Sequence, residues 1–350
     1  MSEIDRRKFL RGAAVSGLLG TVGGGAIVGS LTEARAGASD AVAPFAAATA
    51  AGGTREFWIQ AESFRRNLVP NGLDGMSGTT YTKDQTTYWA LGYRAYSANF
   101  AAPLPASAAI GDNSGIPGPT LRVNVGDTVK VHFRNNDTHY GFPHSLHPHG
   151  VRYDPNSDGA WLATDPNKPG TAVAPGATYT YTWKVLPSSV GTWPYHDHSK
   201  PQALYHGSPP MPETSVTLGM FGVIVVEDPA APVADRENIV FFHDLYVPTL
   251  VQQFNCVNGY AFLDNTPTFT ARVGDRVRWR VATLGDNLHV FHLHGHRWEY
   301  QGRYDDALVL GPGSTLTFDF VEDNPGDWMY HCHVAMHMMG GMVGRYVVTS

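Results

Sequence analysis

Ten of the sixteen histidines in this chain fall in four short clusters. The clusters read His147-Pro148-His149, His196-Asp197-His198, His289-x-x-His292-x-His294 and His331-Cys332-His333, the last followed by His337 and Met342. Alternate residues of an extended strand point to the same face of a sheet. Imidazoles two residues apart therefore converge on one target only where the backbone is extended, and the clusters demand strands. In His331-Cys332-His333 the two rings face one way and the thiol the other. His289 lies an odd number of positions from both His292 and His294, so it falls on the opposite face, as Cys332 does. Parity sorts these side chains into two sets: Cys332 with His289, and eight histidines behind them.

The chain also repeats itself. Pro119-Thr120-Leu121-Arg122-Val123-Asn124-Val125-Gly126-Asp127 aligns with Pro267-Thr268-Phe269-Thr270-Ala271-Arg272-Val273-Gly274-Asp275. His144-x-x-His147-x-His149-Gly150 aligns with His289-x-x-His292-x-His294-Gly295, and Gly191-x-Trp193-x-Tyr195-His196-x-His198 with Gly326-x-Trp328-x-Tyr330-His331-x-His333. Gly219-Met220-x-Gly222 aligns with Gly341-Met342-x-Gly344. Matches in one order mark an internal duplication. Each copy reads as all-β: alternating runs such as Val129-x-Val131-x-Phe133 and Val277-x-Trp279-x-Val281 follow a Gly-Asp turn, and Gly and Pro break up the rest. Short strands with frequent turns predict a sandwich or barrel in each half. The boundaries expected are 54–228 and 238–350, joined by a linker over 229–237 that contains Pro229 and Pro232.

The chemistry of the two sets differs. A thiolate with two imidazoles and a distant thioether points to a blue-copper electron-transfer centre. His289, Cys332, His337 and Met342 supply such a set, and Met220 occupies the matching offset in the first copy. The eight remaining imidazoles suffice for three more metal ions, giving four coppers per chain. Adjacent residues join the sets through the Cys332 backbone, across a gap of about 10 Å. In the first copy Asp197 stands where Cys332 stands in the second. A carboxylate cannot replace the soft thiolate, so that half holds no electron-transfer copper. His144 and Met220 are then relics, with a hard-metal site left open. His132, His139, His206, His243 and His296 show no ligand pattern, although His296 could support a neighbouring ligand.

Composition narrows the rest. Of 350 residues, 43% are hydrophobic and 16% charged, with a formal net charge of -6. No mature Lys/Arg run supports nucleic-acid binding. Cys332 is committed to metal, which leaves Cys256 as an unpaired small apolar side chain, and no disulfide is expected. Asp5-Arg6-Arg7-Lys8-Phe9-Leu10, a Gly-rich apolar stretch and Ala34-Arg35-Ala36 read as a twin-arginine signal peptide over 1–36. Residues 37–53 form an Ala/Gly-rich flexible lead-in. The expected location is secreted or in the cell envelope.

From about Arg55 to the C-terminus these clusters resemble the multicopper oxidases, most closely the two-domain bacterial small laccases with type 1 copper only in the second domain. The resemblance implies two cupredoxin-like Greek-key β-sandwich or barrel domains. It implies type 1 ligands at His289, Cys332, His337 and Met342, and type 2 ligands at His147 and His292. It implies type 3 ligands at His149, His196, His198, His294, His331 and His333. It further implies a homotrimer in which each trinuclear cluster lies between the first domain of one chain and the second of its neighbour. Tyr153 matches a redox-active tyrosine near the cluster, and Asp158 matches a proton-relaying carboxylate. Two features depart from the small laccases. His144 with the Pro148-containing His-Pro-His is nearer to ceruloplasmin-like relatives, and the loop before Pro312 is short.

The activity expected is oxidation of phenols or aromatic amines at type 1 copper, coupled to reduction of O2 to water. A metal oxidase acting on Fe(II), Cu(I) or Mn(II) would share the copper core. For that reading Asp305 and Asp306, expected near type 1, and Met336, Met338 and Met339 would matter. A copper nitrite reductase fits less well, since it keeps type 1 copper in the first domain and has no type 3 pair. A copper-storage or electron-carrier protein would need only one of the sets.

Overall fold

The computed structural model describes residues 52–205 and 207–350. The segment expected to be an export signal, most of the expected lead-in and His206 lie outside the described residues.

The duplication read from sequence is a duplication of topology. In the first half, strand Thr54–Asn67 pairs antiparallel with Thr87–Tyr96 and parallel with Thr128–Asn136, which pairs with Thr178–Lys184. In the second half, Arg236–Leu245 pairs antiparallel with Phe254–Val257 and parallel with Arg276–Leu284, which pairs with Thr315–Val321. The facing sheets also correspond. Leu121–Asn124 runs parallel to Phe221–Glu227, then Gly191–His196, then His147–Pro148. Thr268–Arg272 runs parallel to Val343–Thr349, then Gly326–Cys332, then His289–Leu293, with Ala307–Leu310 at the edge. The fold is all-β and cupredoxin-like in both halves. The strands that bracket the connection end at Glu227 and begin at Arg236.

The alternation of burial follows the sheet pleat. Val129, Val131 and Phe133 point inward from the first half, and Val277, Trp279 and Val281 from the second. Two apolar cores result, one per half. The first continues across the junction, where Phe221 stacks on Phe241 with centroids 4.1 Å apart. A charged network lies on the same junction. Arg280, 3% exposed, donates to Glu237 at 2.5 Å, to Glu227 at 2.9 Å and to the Thr192 hydroxyl at 3.0 Å. Arg122 pairs with both Glu227 and Glu237. Cys256 and Cys332 are both free and buried. His132 stacks on Trp58 and pairs with Glu56 on the sheet surface, and His139 stacks on Trp89, so both serve packing.

Candidate metal centres

Strand register brings the histidine clusters face to face. His147 lies opposite His196 in the first half, and His292 opposite His331 in the second. The glycine that ends each His-x-His-Gly motif explains why it travels with the Gly-x-Trp motif. Gly150 has φ +71°, and a Cβ there would meet the Trp193 ring at 2.1 Å; Gly295 has φ +70°, with Trp328 at 2.8 Å. Each glycine lets the indole close under the turn and fixes the loop leaving the histidines.

The sulfur set forms as parity requires. Cys332 Sγ is 3.8 Å from His289 Nδ1 and 3.7 Å from His337 Nδ1, and the donor atoms of these residues all lie within 4.8 Å of one another. With ordinary metal–nitrogen and metal–sulfur lengths these separations subtend about 120° at a shared ion, the trigonal His2Cys arrangement of blue copper. Sγ also accepts the Val290 N–H at 3.3 Å. Short helix Ala335–Met339 turns His337 back toward Cys332, and the Met342 backbone bonds to both residues, with its side chain buried. His289 is buried and His337 partly exposed.

The eight other histidines form two separate sets of four. In the first half the donors of His147, His149 and His196 lie within 4.8 Å, and His198 packs edge-on to His147 with centroids 5.4 Å apart. In the second half His292, His294 and His331 do the same, with His333 5.2 Å from His292. Backbone carbonyls choose the free nitrogen. His147 Nδ1 donates to Asp158 O at 2.6 Å and His292 Nδ1 to Asp306 O at 2.7 Å. His196 and His331 donate Nδ1–H to the carbonyls of Asp197 and Cys332. Nε2 is left for metal in all four. Burial and neighbouring imidazoles push the pKa values of His149 and His331 down to about 4 and that of His196 to about 3. These rings are neutral at physiological pH, the form that binds metal. Among the described residues no donor group mixes histidines from both halves.

The vacated position beside Asp197 is filled by charge. His144 Nδ1 donates to Asp197 Oδ2 at 2.9 Å, and Nε2 lies 3.4 Å from Asp137 Oδ2, all of it buried. Burial disfavours the charged ring, but the two carboxylates outweigh it and raise the His144 pKa to about 9. Both ring nitrogens face carboxylates and an imidazolium already supplies the positive charge. Nδ1 is thus committed to Asp197, whereas Nε2 makes no hydrogen bond among the described residues.

Asp158 and Tyr153 border the first histidine set. Asp158 Oδ1 is 3.2 Å from His147 Nδ1, and its Oδ2 receives Lys168 Nζ at 2.5 Å. Tyr153 packs edge-on to His147 at 5.9 Å. Asp305 and Asp306 depart from expectation. The Asp306 carbonyl holds His292, so Asp306 borders the second histidine set, and Asp305 pairs with Arg303 at 2.9 Å. The strand register accounts for this, placing Ala307 opposite His292 and Leu310 opposite His289. Asp244 is the carboxylate that meets the sulfur set among the described residues, 3.5 Å from His289 Nε2 and held by Asn255 and Asn287. Forty-five positions separate Asp244 from His289, and no local motif marks it.

These folds and donors define a cupredoxin-like protein with one His2Cys set and two sets of four histidines. Two family models, both described as multicopper oxidase, match residues 99–231 and 242–350. The chain belongs to the multicopper oxidases. It is 33% identical over 265 residues to a probable nitrite reductase-hydroxylamine oxidoreductase fusion protein of Kuenenia stuttgartiensis, covering 68% of this chain and 28% of that protein. It is 27% identical to the ferroxidase HEPHL1 of Mus musculus, covering 84% of this chain and 29% of that protein. The chain thus spans less than a third of the length of these curated relatives. A solved multicopper oxidase structure superposes with a TM-score of 0.63 at 23% identity, covering 85% of this chain and 89% of that one.

Proposed function

We propose that the chain is a laccase-type oxidase that takes single electrons from phenols or aromatic amines beside His337 and delivers them to O2 between histidine sets of neighbouring chains. When bound at these donors, copper supplies one-electron oxidation at the sulfur set and four-electron reduction of O2 to water at the eight-histidine set. The observation that carries the reading is the linkage at Cys332. Its backbone joins the thiol to His331 and His333, and the Val290 peptide forms a second bridge, donating to Sγ at 3.3 Å and accepting His333 N–H at 2.7 Å. An electron carrier alone would have no use for the imidazoles behind the thiol.

Donor sets that close within each half support a homotrimer, in which the first half of one chain meets the second half of another. Four coppers per chain, one blue and three in the shared cluster, follow from the donor count. Tyr153 and Asp158, both beside His147, would supply an electron and a proton to the cluster. Asp158 also orients His147, and Lys168 anchors Asp158.

A metal oxidase is the second reading. Met336 is 77% and Met339 48% exposed on the helix that carries His337, so soft donors flank the electron entry. The ferroxidase likeness favours it as well. Asp244 beside His289 supplies one carboxylate near the sulfur set, which the Fe(II) and Mn(II) form would need. The discriminating experiment is oxygen uptake by copper-loaded protein with dimethoxyphenol, Fe(II) and Cu(I). The laccase reading expects the phenol to dominate kcat/KM. A much higher kcat/KM for either metal ion would replace it.

A further inference from the structure

The turn after His294 rests on a buried polar triad that its counterpart lacks. His296 Nδ1 donates to the His294 carbonyl oxygen at 2.7 Å, and its Nε2 to Glu322 Oε1 at 2.9 Å. The Tyr346 hydroxyl donates to Glu322 Oε2 at 2.5 Å, and the backbone N–H groups of Asp323 and Asn324 reach Oε1 at 3.1 Å each. His296, Glu322 and Tyr346 are 8%, 1% and 0% exposed.

The duplication shows what else fits there. His296 follows His294-Gly295 as Val151 follows His149-Gly150. Glu322 donates its N–H to Asp275 O as Val185 does to Asp127 O. Tyr346 lies opposite Trp328 as Ile224 lies opposite Trp193. Val151, Val185 and Ile224 are all buried in the apolar core. The same fold closes the same position with three aliphatic side chains. Replacing a buried charged group by well-packed apolar residues is often neutral or stabilising, so core packing does not account for the triad.

The bonds of the triad end on a ligand. His294 Nε2 lies 3.0 Å from His331 Nε2. The His294 carbonyl is held by His296, and the next carbonyl, Gly295 O, by Asn324 Nδ2 at 2.9 Å. Fixing both carbonyls sets the backbone from which the His294 ring projects. Val151 carries no donor and offers His149 nothing comparable. Gly295 is exposed where Gly150 is partly covered, so the second-half turn has less packing to hold it.

We propose that His296, Glu322 and Tyr346 form a positioning unit that fixes His294 for metal ligation, a device specific to the second half. The proposal rests on the oxidase reading above. The test copies the first half into the second with the triple variant His296→Val, Glu322→Val and Tyr346→Ile, followed by three measurements. The metal-free Tm should equal or exceed that of the parent. The blue thiolate band of the copper-loaded protein should be unchanged. The cluster copper should be held about ten- to a hundred-fold more weakly against a chelator, with a broadened imidazole 15N signal from His294 in the metal-free chain. Cluster copper held as tightly as in the parent, with an unchanged His294 signal, overturns the proposal. If the triple variant does not fold, Tyr346→Phe removes one donor to Glu322 and should weaken retention several-fold; unchanged retention there also overturns it. A parent chain with no blue band would refute the copper reading instead, and the His294 signal would still decide the positioning role.

Discussion

Cys332 serves both faces of its strand: its sulfur lies among His289 and His337 while its neighbours' rings point behind it. Cys332→Ser should abolish the thiolate band and all donor oxidation while the histidine sets still load copper. Metal analysis with visible spectroscopy checks this, and a blue variant would remove the type 1 assignment. Asp197 is the inverse case, a carboxylate paired with buried His144. Asp197→Asn should cost about 3–5 kcal/mol of stability in urea unfolding, because it strips the ring of its principal counter-charge. The sign with pH follows from the raised His144 pKa. The pair's contribution is fully present below the unfolded value of 6.5 and is lost as pH rises through about 9. The metal-free Tm should therefore fall across that window, and the fall should shrink in His144→Gln. Strand parity made Cys332, His289 and the paired histidines legible from sequence. Asp244, Lys168 and Asp137 were not: Asp244 lies on strand Arg236–Leu245 in the facing sheet and the other two lie outside the strands, so their contacts with His289, Asp158 and His144 come from tertiary packing that no local pattern marks.

The elements are built twice and diverge where their neighbours differ. Strand Arg276–Leu284 carries Arg280 against Glu237 of Arg236–Leu245 and Glu227 of Phe221–Glu227, tying the halves at their junction. Arg280→Ala leaves Glu237, 4% exposed, with Arg122 as its one ion-paired partner among the described residues, and should cost about 3–5 kcal/mol. Denaturant unfolding followed by Trp fluorescence measures it; a change below 1 kcal/mol would show that the network contributes little. The loop leaving His149 carries Tyr153 and Asp158. Tyr153→Phe and Asp158→Asn should leave the blue band intact and slow reoxidation of the reduced enzyme by O2, which stopped-flow absorbance reads. The motif repeats revealed the doubled topology, because each aligned block is one strand or turn of a half. The charged junction was hidden, because Arg122 and Glu237 are 115 residues apart and the repeated block that holds Arg122 does not mark its partner.

At the scale of the whole molecule, each chain carries two half-sets of four histidines, each closed on itself. Under the proposed trimer a second chain would complete the eight-imidazole cage, and a rotation repeated around a closed ring would satisfy every half. The direct test is complementation between two inactive variants. One carries His147→Ala and His149→Ala, the other His292→Ala and His294→Ala. Alone, each should keep its blue copper and show no oxygen reduction. Co-assembled at equal amounts, they should recover roughly a quarter of parental activity, since that share of random interfaces joins two intact halves. Oxygen uptake by the mixed assembly is the measurement. Recovery near that level is the predicted result. No recovery from assemblies proven mixed, together with a fully active parental monomer, would contradict a cluster shared between chains.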